Sequence, residues 1–371
     1  MAAFSDGNSD IETLSAQPVS IEEGVLQIQS ADPAAETSDA LPFFREWENF
    51  TVKDGLPSNK ISTVRVDGDR VWVGTDKGLA IYENGEFYVI TTDDGLSHNY
   101  VLSIDVSELT GEVWIATMSG LTRWSAGKMT IYTQLNSGLA NDVIYSVVTD
   151  GEYVWTATAA GASKFNTYTD QWEIFNEQNA PMHEPWTYGV AKSDEKIYIA
   201  AWGGGVLEYF KDSGQFRVHN DPDHQMQIDL YPDDGVVHDI TTVAYYANEI
   251  LWVGTYFGLS RYDGTSWNSY FEKDSGLASD FINYLKAQQN VVYICTDKGF
   301  SIFNGARWAT YSNENGAGKV LITDENSSRE IMTSTALSNN YIWAMDVKGD
   351  EIWLATSDGL SYSKASGNVQ F

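Results

Sequence analysis

The fold of this chain is decided by the stretch Val71-Trp72-Val73-Gly74-Thr75-Asp76-Lys77-Gly78-Leu79-Ala80-Ile81-Tyr82, because six relatives of it follow before the C-terminus. Each copy carries an aromatic residue equivalent to Trp72, and these residues are Trp72, Trp114, Trp155, Tyr198, Trp252, Tyr293 and Trp353. Successive copies lie 41 to 43 residues apart, except for two spacings of 54 and 60 residues. A period of this length is typical of the four-stranded blades of β-propellers.

Each copy has the pattern of a β-hairpin. Residues 71–75 are mostly β-branched or aromatic, which suits a buried strand, and residues 79–82 form the returning strand. Between them, Asp76-Lys77-Gly78 predicts a three-residue loop whose glycine adopts a positive φ at little steric cost. One hairpin cannot bury both of its faces, so neighbouring copies must stack to form a core.

The array begins with an outer strand that has no blade before it. Residues 47–52 align with the fourth strands that start near Phe87, Met129, Trp267 and Trp308, whereas the last copy supplies only three strands. The sequence therefore predicts an all-β fold over residues 42–371, a seven-bladed β-propeller of four-stranded antiparallel blades closed by the N-terminal strand pairing into the last blade. Residues 1–41 are acidic and lack Lys and Arg, and they are predicted to be a mostly disordered leader or linker.

The charge of the chain restricts its partners. Asp and Glu number 52 against 22 Lys and Arg, and the formal net charge of −30 argues against nucleic acid and anionic membrane surfaces. The sequence has no apolar run of about 18 residues, so direct membrane insertion is not expected. Cys295 is the single cysteine, which excludes an internal disulfide and a cysteine metal cluster. It is expected to be a small buried residue.

The turns that precede the inner strands carry a more specific pattern. Gly-Leu-x-x-Asn recurs with variations from Gly55, Gly95, Gly138 and Gly276, and each turn leads into a Trp-x-Gly-Thr-x-x-Gly-Leu type hairpin. Over about residues 47–365 this pattern resembles the two-component-regulator propeller repeat. The resemblance implies a seven-bladed, extracytoplasmic propeller (periplasmic, surface-bound or secreted) that often serves as the sensing part of a membrane kinase, with carbohydrate-related ligands.

This sequence departs from that layout because it contains no kinase, linker or transmembrane part, and no signal peptide is visible in it. The preferred interpretation is an exported, non-enzymatic binding or assembly module that recognises a glycan or a protein partner. One alternative is a propeller-fold polysaccharide lyase or glycosidase, and another is the soluble ligand-sensing domain of a signalling system.

Candidate binding residues come from three places where the repeat is broken, residues 176–188, 219–238 and 313–336, and from the altered loops between second and third strands at Trp202 in blade 4 and Tyr256 in blade 5. Each break joins an outer strand to the next inner strand, so all three should share one face with the loops between second and third strands. A site over blades 4 and 5 of this face is therefore predicted. The candidate ligand- or partner-binding residues are His183, Trp186, Tyr188, Trp202, His219, His224, Tyr231, His238, Tyr256 and Arg329.

Each candidate also has a structural interpretation. Long propeller loops are often variable surface, and the aromatic rings could pack these loops against the blades. The run from His219 to His224 could hold a metal, but its Asn-Asp-Pro-Asp sequence is explained by turn formation alone. A lyase could use His183, Tyr188, His238 and Arg329, whereas no privileged pair of carboxylates points to a glycosidase. No catalytic residue, metal ligand or cofactor is therefore assigned.

Overall fold

The computed structural model of the protein describes residues 41–223 and 233–369. The chain enters the fold through β1 (Pro42–Phe50), and two short 3₁₀ helices, Val52–Asp54 and Thr92–Asp94, lie in the first two turns before inner strands. All other regular elements in the described ranges are antiparallel strands that form seven separate sheets. The prediction of a seven-bladed β-propeller is confirmed.

Each blade runs from an inner strand at the axis to an outer strand at the rim. Blade 1 contains β2 (Ile61–Asp67), β3 (Arg70–Thr75), β4 (Gly78–Glu83) and β5 (Glu86–Ile90). Blade 2 contains β6 (Val101–Val106), β7 (Val113–Thr117), β8 (Gly120–Ser125) and β9 (Lys128–Tyr132). Blade 3 contains β10 (Ile144–Asp150), β11 (Tyr153–Thr158), β12 (Gly161–Asn166) and β13 (Gln171–Phe175).

The remaining blades follow the same order. Blade 4 contains β14 (Thr187–Lys192), β15 (Lys196–Ala201), β16 (Gly205–Phe210) and β17 (Phe216–His219). Blade 5 contains β18 (Thr241–Ala247), β19 (Ile250–Thr255), β20 (Leu259–Tyr262) and β21 (Trp267–Tyr270). Blade 6 contains β22 (Ile282–Gln288), β23 (Val291–Thr296), β24 (Phe300–Phe303), β25 (Trp308–Glu314), β26 (Ala317–Thr323) and β27 (Ser328–Met332). Blade 7 contains β28 (Ile342–Lys348), β29 (Glu351–Thr356) and β30 (Gly359–Asn368).

Closure of the ring follows the prediction. β1 is the outer strand of blade 7 and pairs antiparallel with β30, with Phe50 opposite Leu360 and Trp47 opposite Ser363. The pairing extends further than the sequence pattern indicated, since it starts at Pro42 rather than at Trp47. Phe50 also stacks on Trp353 of blade 7, with ring centroids 5.8 Å apart, so β1 contributes to the core as well as to the sheet.

The 313–336 insertion differs from the prediction of a loop on the same face as those of blades 4 and 5. It lengthens β25 and adds β26 and β27, so that blade 6 has six strands instead of four. Gly316 takes a φ of +90° in the turn between β25 and β26, which lets the chain reverse there. Leu41, Val320 and Ile322 are buried in one core cluster, which packs the added strands beside β1.

The hairpin between second and third strands is tighter than predicted. Thr75 pairs directly with Gly78, which leaves a two-residue loop, and the Thr75 hydroxyl donates to the Gly78 carbonyl at 2.8 Å. Gly78 has a φ of +139°, and a Cβ atom there would lie 2.9 Å from the Ile90 carbonyl oxygen. A residue with a side chain would be strained at this positive φ and would collide with that oxygen, which explains why the glycine is repeated. Cys295 is fully buried in β23, as expected, and burial raises the pKa of its thiol.

Candidate functional site

A large cavity runs along the propeller axis. Its volume is about 1010 Å³, and residues from all seven inner strands line it. Every inner strand has an irregularity near its start, such as the one between Ile61 and Thr63, and runs of consecutive residues in these strands line the cavity. The inner strands therefore determine which side chains meet at the axis.

We call the end of the cavity where the inner strands begin its upper end, and the opposite end its lower end. Ion pairs surround the lower part. Arg65 of blade 1 contacts Asp105 of blade 2 at 3.2 Å and Asp346 of blade 7 at 3.8 Å. Lys286 of blade 6 also pairs with Asp346, which accepts a further hydrogen bond from the backbone N–H of Val66 at 2.7 Å. Burial by itself would lower the pKa of Arg65, but Asp105 and Asp346 outweigh it and raise that pKa above its ordinary value.

Three hydrogen bonds extend this network to blades 3 and 4. The backbone N–H and the hydroxyl of Thr149 donate to Asp105 at 2.7 and 2.8 Å, and Lys192 donates to the Thr149 carbonyl at 2.7 Å. We call this set the charged belt, and it consists of Arg65, Asp105, Thr149, Lys192, Lys286 and Asp346. The belt joins neighbouring blades through their inner strands, so its carboxylates already have partners.

The upper end of the cavity carries aromatic rings that contact one another across four blades. Tyr145 of blade 3 stacks on Tyr188 of blade 4 at 4.6 Å, and Tyr188 contacts Trp202 at 5.4 Å. Trp202 meets the edge of Tyr256 of blade 5 at 5.3 Å, and Tyr256 stacks on Phe281 at 3.8 Å. The structure thus brings together the predicted residues Tyr188, Trp202 and Tyr256.

Trp186 belongs to the same group of rings. Its indole N–H donates to the Tyr145 hydroxyl at 3.1 Å, and its ring lies 6.0 Å from that of Tyr188. The Trp186 side chain nevertheless remains 42% exposed. Burial, with the nearby Tyr145 and Tyr256, raises the pKa of Tyr188 to about 12.

We call the opening at the upper end of the cavity its mouth. The rest of the mouth contains aromatic residues that the sequence analysis missed. Tyr100 of blade 2 is 37% exposed, and Trp343 of blade 7 is 43% exposed and lies 4.5 Å from Tyr341. We call the complete set the aromatic collar, which comprises Tyr100, Tyr145, Trp186, Tyr188, Trp202, Tyr256, Phe281, Tyr341 and Trp343. It spans blades 2 to 7, while blade 1 presents Lys60 and Ser62 to the cavity instead.

A signal for the missed residues was present in the repeat. Tyr145, Tyr188 and Trp343 occupy one equivalent position near the start of the inner strand, where blade 1 has Ser62. Tyr100 and Tyr341 occupy the position of Lys60, immediately before the strand. Comparing the copies at these two positions, rather than looking for broken repeats, would have identified most of the collar.

The predicted histidines do not gather at the collar. His183 is exposed in the loop before β14, and His238 is completely buried with its ring stacked on Phe257 at 4.0 Å. The His238 Nδ1 accepts the N–H of Ile240 at 3.0 Å, and burial lowers the pKa of this imidazole against the opposing effects of Asp239 and Asp223. His224 and Tyr231 lie outside the described residues.

Arg329 also lies elsewhere. It is an exposed residue of β27, the outermost strand of blade 6, where it is opposite Ile322 of β26. Since the collar belongs to the inner strands and the adjoining loops, Arg329 does not share a surface with it. The arrangement of β26 and β27 as sheet strands, rather than as a loop over the mouth, accounts for this difference.

His219 has a structural contact away from the mouth. Its Nε2 lies 2.9 Å from a carboxylate oxygen of Glu208, and Lys196 Nζ lies 2.6 Å from the other oxygen. Asp221 and Asp223 take part in the following turn, where Asp223 donates its N–H to the Asp221 carboxylate at 3.2 Å. Within residues 41–223 and 233–369, no group of three or more His, Cys, Asp or Glu side chains is arranged to hold a metal.

The Glu208 carboxylate predicts a specific acid sensitivity. Burial by itself would raise its pKa, but hydrogen bonds from His219 and Lys196 outweigh burial and lower the pKa from 4.5 to about 2. Because the folded-state pKa is depressed, this group stabilises the fold above pH 4.5, and its contribution is lost as the pH falls toward 2. Glu208→Gln should remove this part of the pH dependence in chemical denaturation at pH 2 to 6. If the free energy of unfolding fell equally steeply with decreasing pH in both proteins, the lowered pKa of Glu208 would be contradicted.

Comparison with known proteins connects this geometry to a class of fold. No protein-family model matches the chain, and no curated protein matches its sequence. The extracellular domain of the proposed hybrid two component system BT3049 from B. thetaiotaomicron superposes with a TM-score of 0.65 and 15% identity, over 88% of this chain and 42% of that one. The likeness fits the two-component-regulator propeller family that the repeats resemble.

Two further solved structures support the same fold. The extracellular domain of the proposed hybrid two component system BT4673 from B. thetaiotaomicron gives a TM-score of 0.64 and 18% identity, over 88% of this chain and 41% of that one. The computationally designed Ika8 protein gives 0.56 and 13% identity, over 82% of this chain and 96% of that one. This chain thus spans less than half of each bacterial domain. In the described part of the chain, no helix is long and apolar enough to cross a membrane.

Proposed function

We propose that the protein is a non-enzymatic binding module that holds a glycan at the aromatic collar. The observation that carries this proposal is the partly exposed ring of Tyr and Trp side chains above a cavity of about 1010 Å³. Aromatic faces pack against the apolar faces of sugar rings, and tyrosine hydroxyls supply hydrogen bonds at the edges. The combination suits a ligand with both apolar faces and many hydroxyl groups.

The concave shape of the mouth favours a glycan over a protein partner. Ligand sites for small molecules are clefts of about 300–1,000 Å³ with a few convergent polar groups, and the cavity lies at the upper end of this range. The collar also contains five tyrosines, Tyr100, Tyr145, Tyr188, Tyr256 and Tyr341. Four of them, all except Tyr341, line the cavity from blades 2 to 5, so phenol groups come from several sides, as suits a ligand with many hydroxyl groups.

The positions of the acid and base candidates support binding rather than turnover. A lyase would need a base, an acid and a cation close together, yet His183, His238 and Arg329 lie in an exposed loop, in the core and on the outer strand of blade 6. Of the three carboxylates that line the cavity, Asp105 and Asp346 pair within the charged belt and Glu108 is exposed. Tyr188, the remaining lyase candidate, lies in the collar. An extracytoplasmic location is part of the proposal, because the bacterial domains of the same fold are described as extracellular.

Substitution of Trp186 tests this proposal. Trp186→Ala should weaken binding of a responsive oligosaccharide from a panel of neutral and acidic glycans by about tenfold or more, because hot-spot aromatics commonly contribute 2 kcal/mol or more. Stability should change by only about 1 kcal/mol, since the side chain is 42% exposed. Isothermal titration calorimetry and thermal unfolding measure the two effects.

Tyr168→Ala is the matched control, because Tyr168 is an aromatic residue that is 65% exposed in the turn between β12 and β13, away from the collar. It should bind the oligosaccharide as the unsubstituted protein does. Absence of binding by every glycan in the panel, or equal affinity of the Trp186→Ala protein, would contradict the proposal. Release of new reducing ends or unsaturated products during the titration would favour the enzymatic alternative.

A further inference from the structure

A smaller polar pocket opens at the junction of blades 6 and 7, next to the collar. Its volume is about 310 Å³, which is large enough for one sugar ring. It is formed by the loop after β23 and by the turn that leads into β28. The lining residues are Asp297, Asn313, Ser338, Asn339, Asn340 and Tyr341.

Asp297 gives this pocket an unused acceptor. Its Oδ1 atom is buried and has no hydrogen-bond partner among the described residues. A buried carboxylate oxygen without a donor is costly, so native structures normally satisfy such atoms with water, an ion or a ligand. The same orphaned Oδ1 occurs at Asp76 in the equivalent hairpin of blade 1, so it belongs to the hairpin. Asp297 also lines the pocket, and its other carboxylate oxygen, Oδ2, is the acceptor that an occupant can reach.

Asn339 gives the same pocket a donor. Its Oδ1 accepts the backbone N–H of Tyr341 at 2.8 Å, which fixes the orientation of the amide and leaves Nδ2 as the group available to an occupant. Asn340 and Asn313 instead bond to each other, since the Asn313 N–H donates to the Asn340 Oδ1 at 2.6 Å and the Asn340 Nδ2 donates to the Asn313 carbonyl at 3.0 Å. The pocket therefore combines one carboxylate acceptor, one amide donor and the Tyr341 ring.

We propose that this pocket is a second carbohydrate subsite, which takes one neutral sugar residue of the glycan whose adjoining part lies at the collar. The Asp297 carboxylate accepts from one ring hydroxyl, and the Asn339 amide donates to the oxygen of another. Tyr341 lies between the two sites, because it lines the pocket and contacts Trp343 of the collar at 4.5 Å. This inference rests on the proposed glycan-binding function and extends it from one sugar position to two.

The chemistry of the lining favours a sugar over a cation. Asp297 is the only carboxylate among the six lining residues, whereas protein sites for Ca²⁺ commonly use several carboxylate and carbonyl oxygens. The amide oxygens of Asn313, Asn339 and Asn340 each already accept a backbone N–H. A hydroxyl group can donate to Asp297 without needing further anionic ligands, and charge-assisted hydrogen bonds of this kind are strong.

Blade 1 provides a matched control for the subsite. Asp76 and Asp297 lie in two separate copies of the sequence Thr-Asp-Lys-Gly. The Oδ1 of Asp76 is likewise buried without a partner among the described residues. The equivalent of Asn339 is His98, whose Nδ1 accepts the N–H of Tyr100 at 2.9 Å. Blade 1 therefore keeps the aspartate and the tyrosine but has an imidazole, with its Nε2–H as the donor, in place of the amide. Asp76→Asn controls for the loss of a carboxylate from this loop at a distance from the Asn339 pocket.

The test uses methyl β-glucoside, methyl β-galactoside and methyl α-mannoside as probes, titrated into the ¹⁵N-labelled full chain. The side-chain amide of Asn339 and the backbone amides of residues 297–299 should shift and saturate with at least one glycoside. Asp297→Asn and Asn339→Ala should each weaken this response about tenfold, since hydrogen bonds to charged or fixed polar groups have such effects. Asp76→Asn should leave it unchanged, and all three variants should retain the thermal unfolding midpoint within a few degrees.

Other outcomes overturn the inference. Saturation by CaCl₂ without a response to the glycosides would assign the pocket to a cation, and the absence of any response would leave no subsite. If Trp186→Ala loses oligosaccharide binding while Asp297→Asn does not, the collar site stands and the second subsite fails. If the glycosides saturate the Asn339 amide while Trp186→Ala binds the oligosaccharide normally, the subsite stands and the proposed role of the collar fails.

Discussion

Removal of residues 1–53 is expected to produce a protein that aggregates and lacks a cooperative thermal transition, whereas removal of residues 1–40 should leave the transition in place. The first deletion takes away all of β1, which is the fourth strand of blade 7. It exposes the edge of β30 and uncovers the core surface that Phe44, Trp47 and Phe50 bury. The second deletion leaves every residue of β1 present.

The contacts of β1 explain why the expected effect is large. The Trp47 N–H donates to the Thr335 hydroxyl at 2.5 Å, and that hydroxyl donates back to the Trp47 carbonyl at 2.9 Å. Phe44, Trp47 and Tyr311 contact one another with centroids 5.9 to 6.0 Å apart. The single substitution Trp47→Ala should cost about 3–5 kcal/mol, as is usual for a large buried aromatic residue. Size-exclusion chromatography and calorimetry of both truncations test the closure, and equal stability of the two would refute it.

Replacement of Arg65 by alanine is the second change with a large expected effect. It should lower the free energy of unfolding by about 2 kcal/mol, between the values for exposed and buried ion pairs, because the Arg65 side chain is 29% exposed while its partner Asp346 is 4% exposed. Asp105 would lose its only described cation, although Thr149 would still donate two hydrogen bonds to it. Asp346 would keep Lys286. Urea denaturation at neutral pH measures the difference.

Arg70→Ala serves as the control for this prediction. Arg70 pairs with Glu83 at 2.8 Å, a shorter distance than either contact of Arg65, but its side chain is 51% exposed. Exposed ion pairs contribute only about 0–1 kcal/mol, so this variant should be nearly as stable as the parent. Similar losses for both variants would mean that the charged belt has no special role in holding the inner strands together. A double variant, Arg65→Met with Asp105→Asn, should recover part of the loss because it removes the uncompensated charge.

Much of the architecture was predictable because it repeats. The Trp72 type aromatic and the Gly78 type glycine recur in each copy, and Trp47 begins an outer-strand pattern without a preceding blade, so strand pairing and ring closure followed from alignment of the chain with itself. Four of the collar residues, Trp186, Tyr188, Trp202 and Tyr256, were also found, because they interrupt the pattern. The other five were missed, since each stands in a turn or strand of regular length, where a single aromatic substitution leaves the spacing unchanged. They are Tyr100, Tyr145, Phe281, Tyr341 and Trp343.

The sequence by itself determined the number of blades, the strand that closes the ring and the burial of Cys295, since these depend on local alternation and on the period of the repeat. Only the tertiary structure decided that residues 313–336 extend blade 6 as two strands, because a polar insertion fits either a loop or an added hairpin. It also decided that Arg65 meets Asp105 and Asp346, that His219 meets Glu208, and that the collar encircles the mouth. These contacts join residues of different strands and mostly of different blades, and their distances depend on how seven sheets pack around one axis.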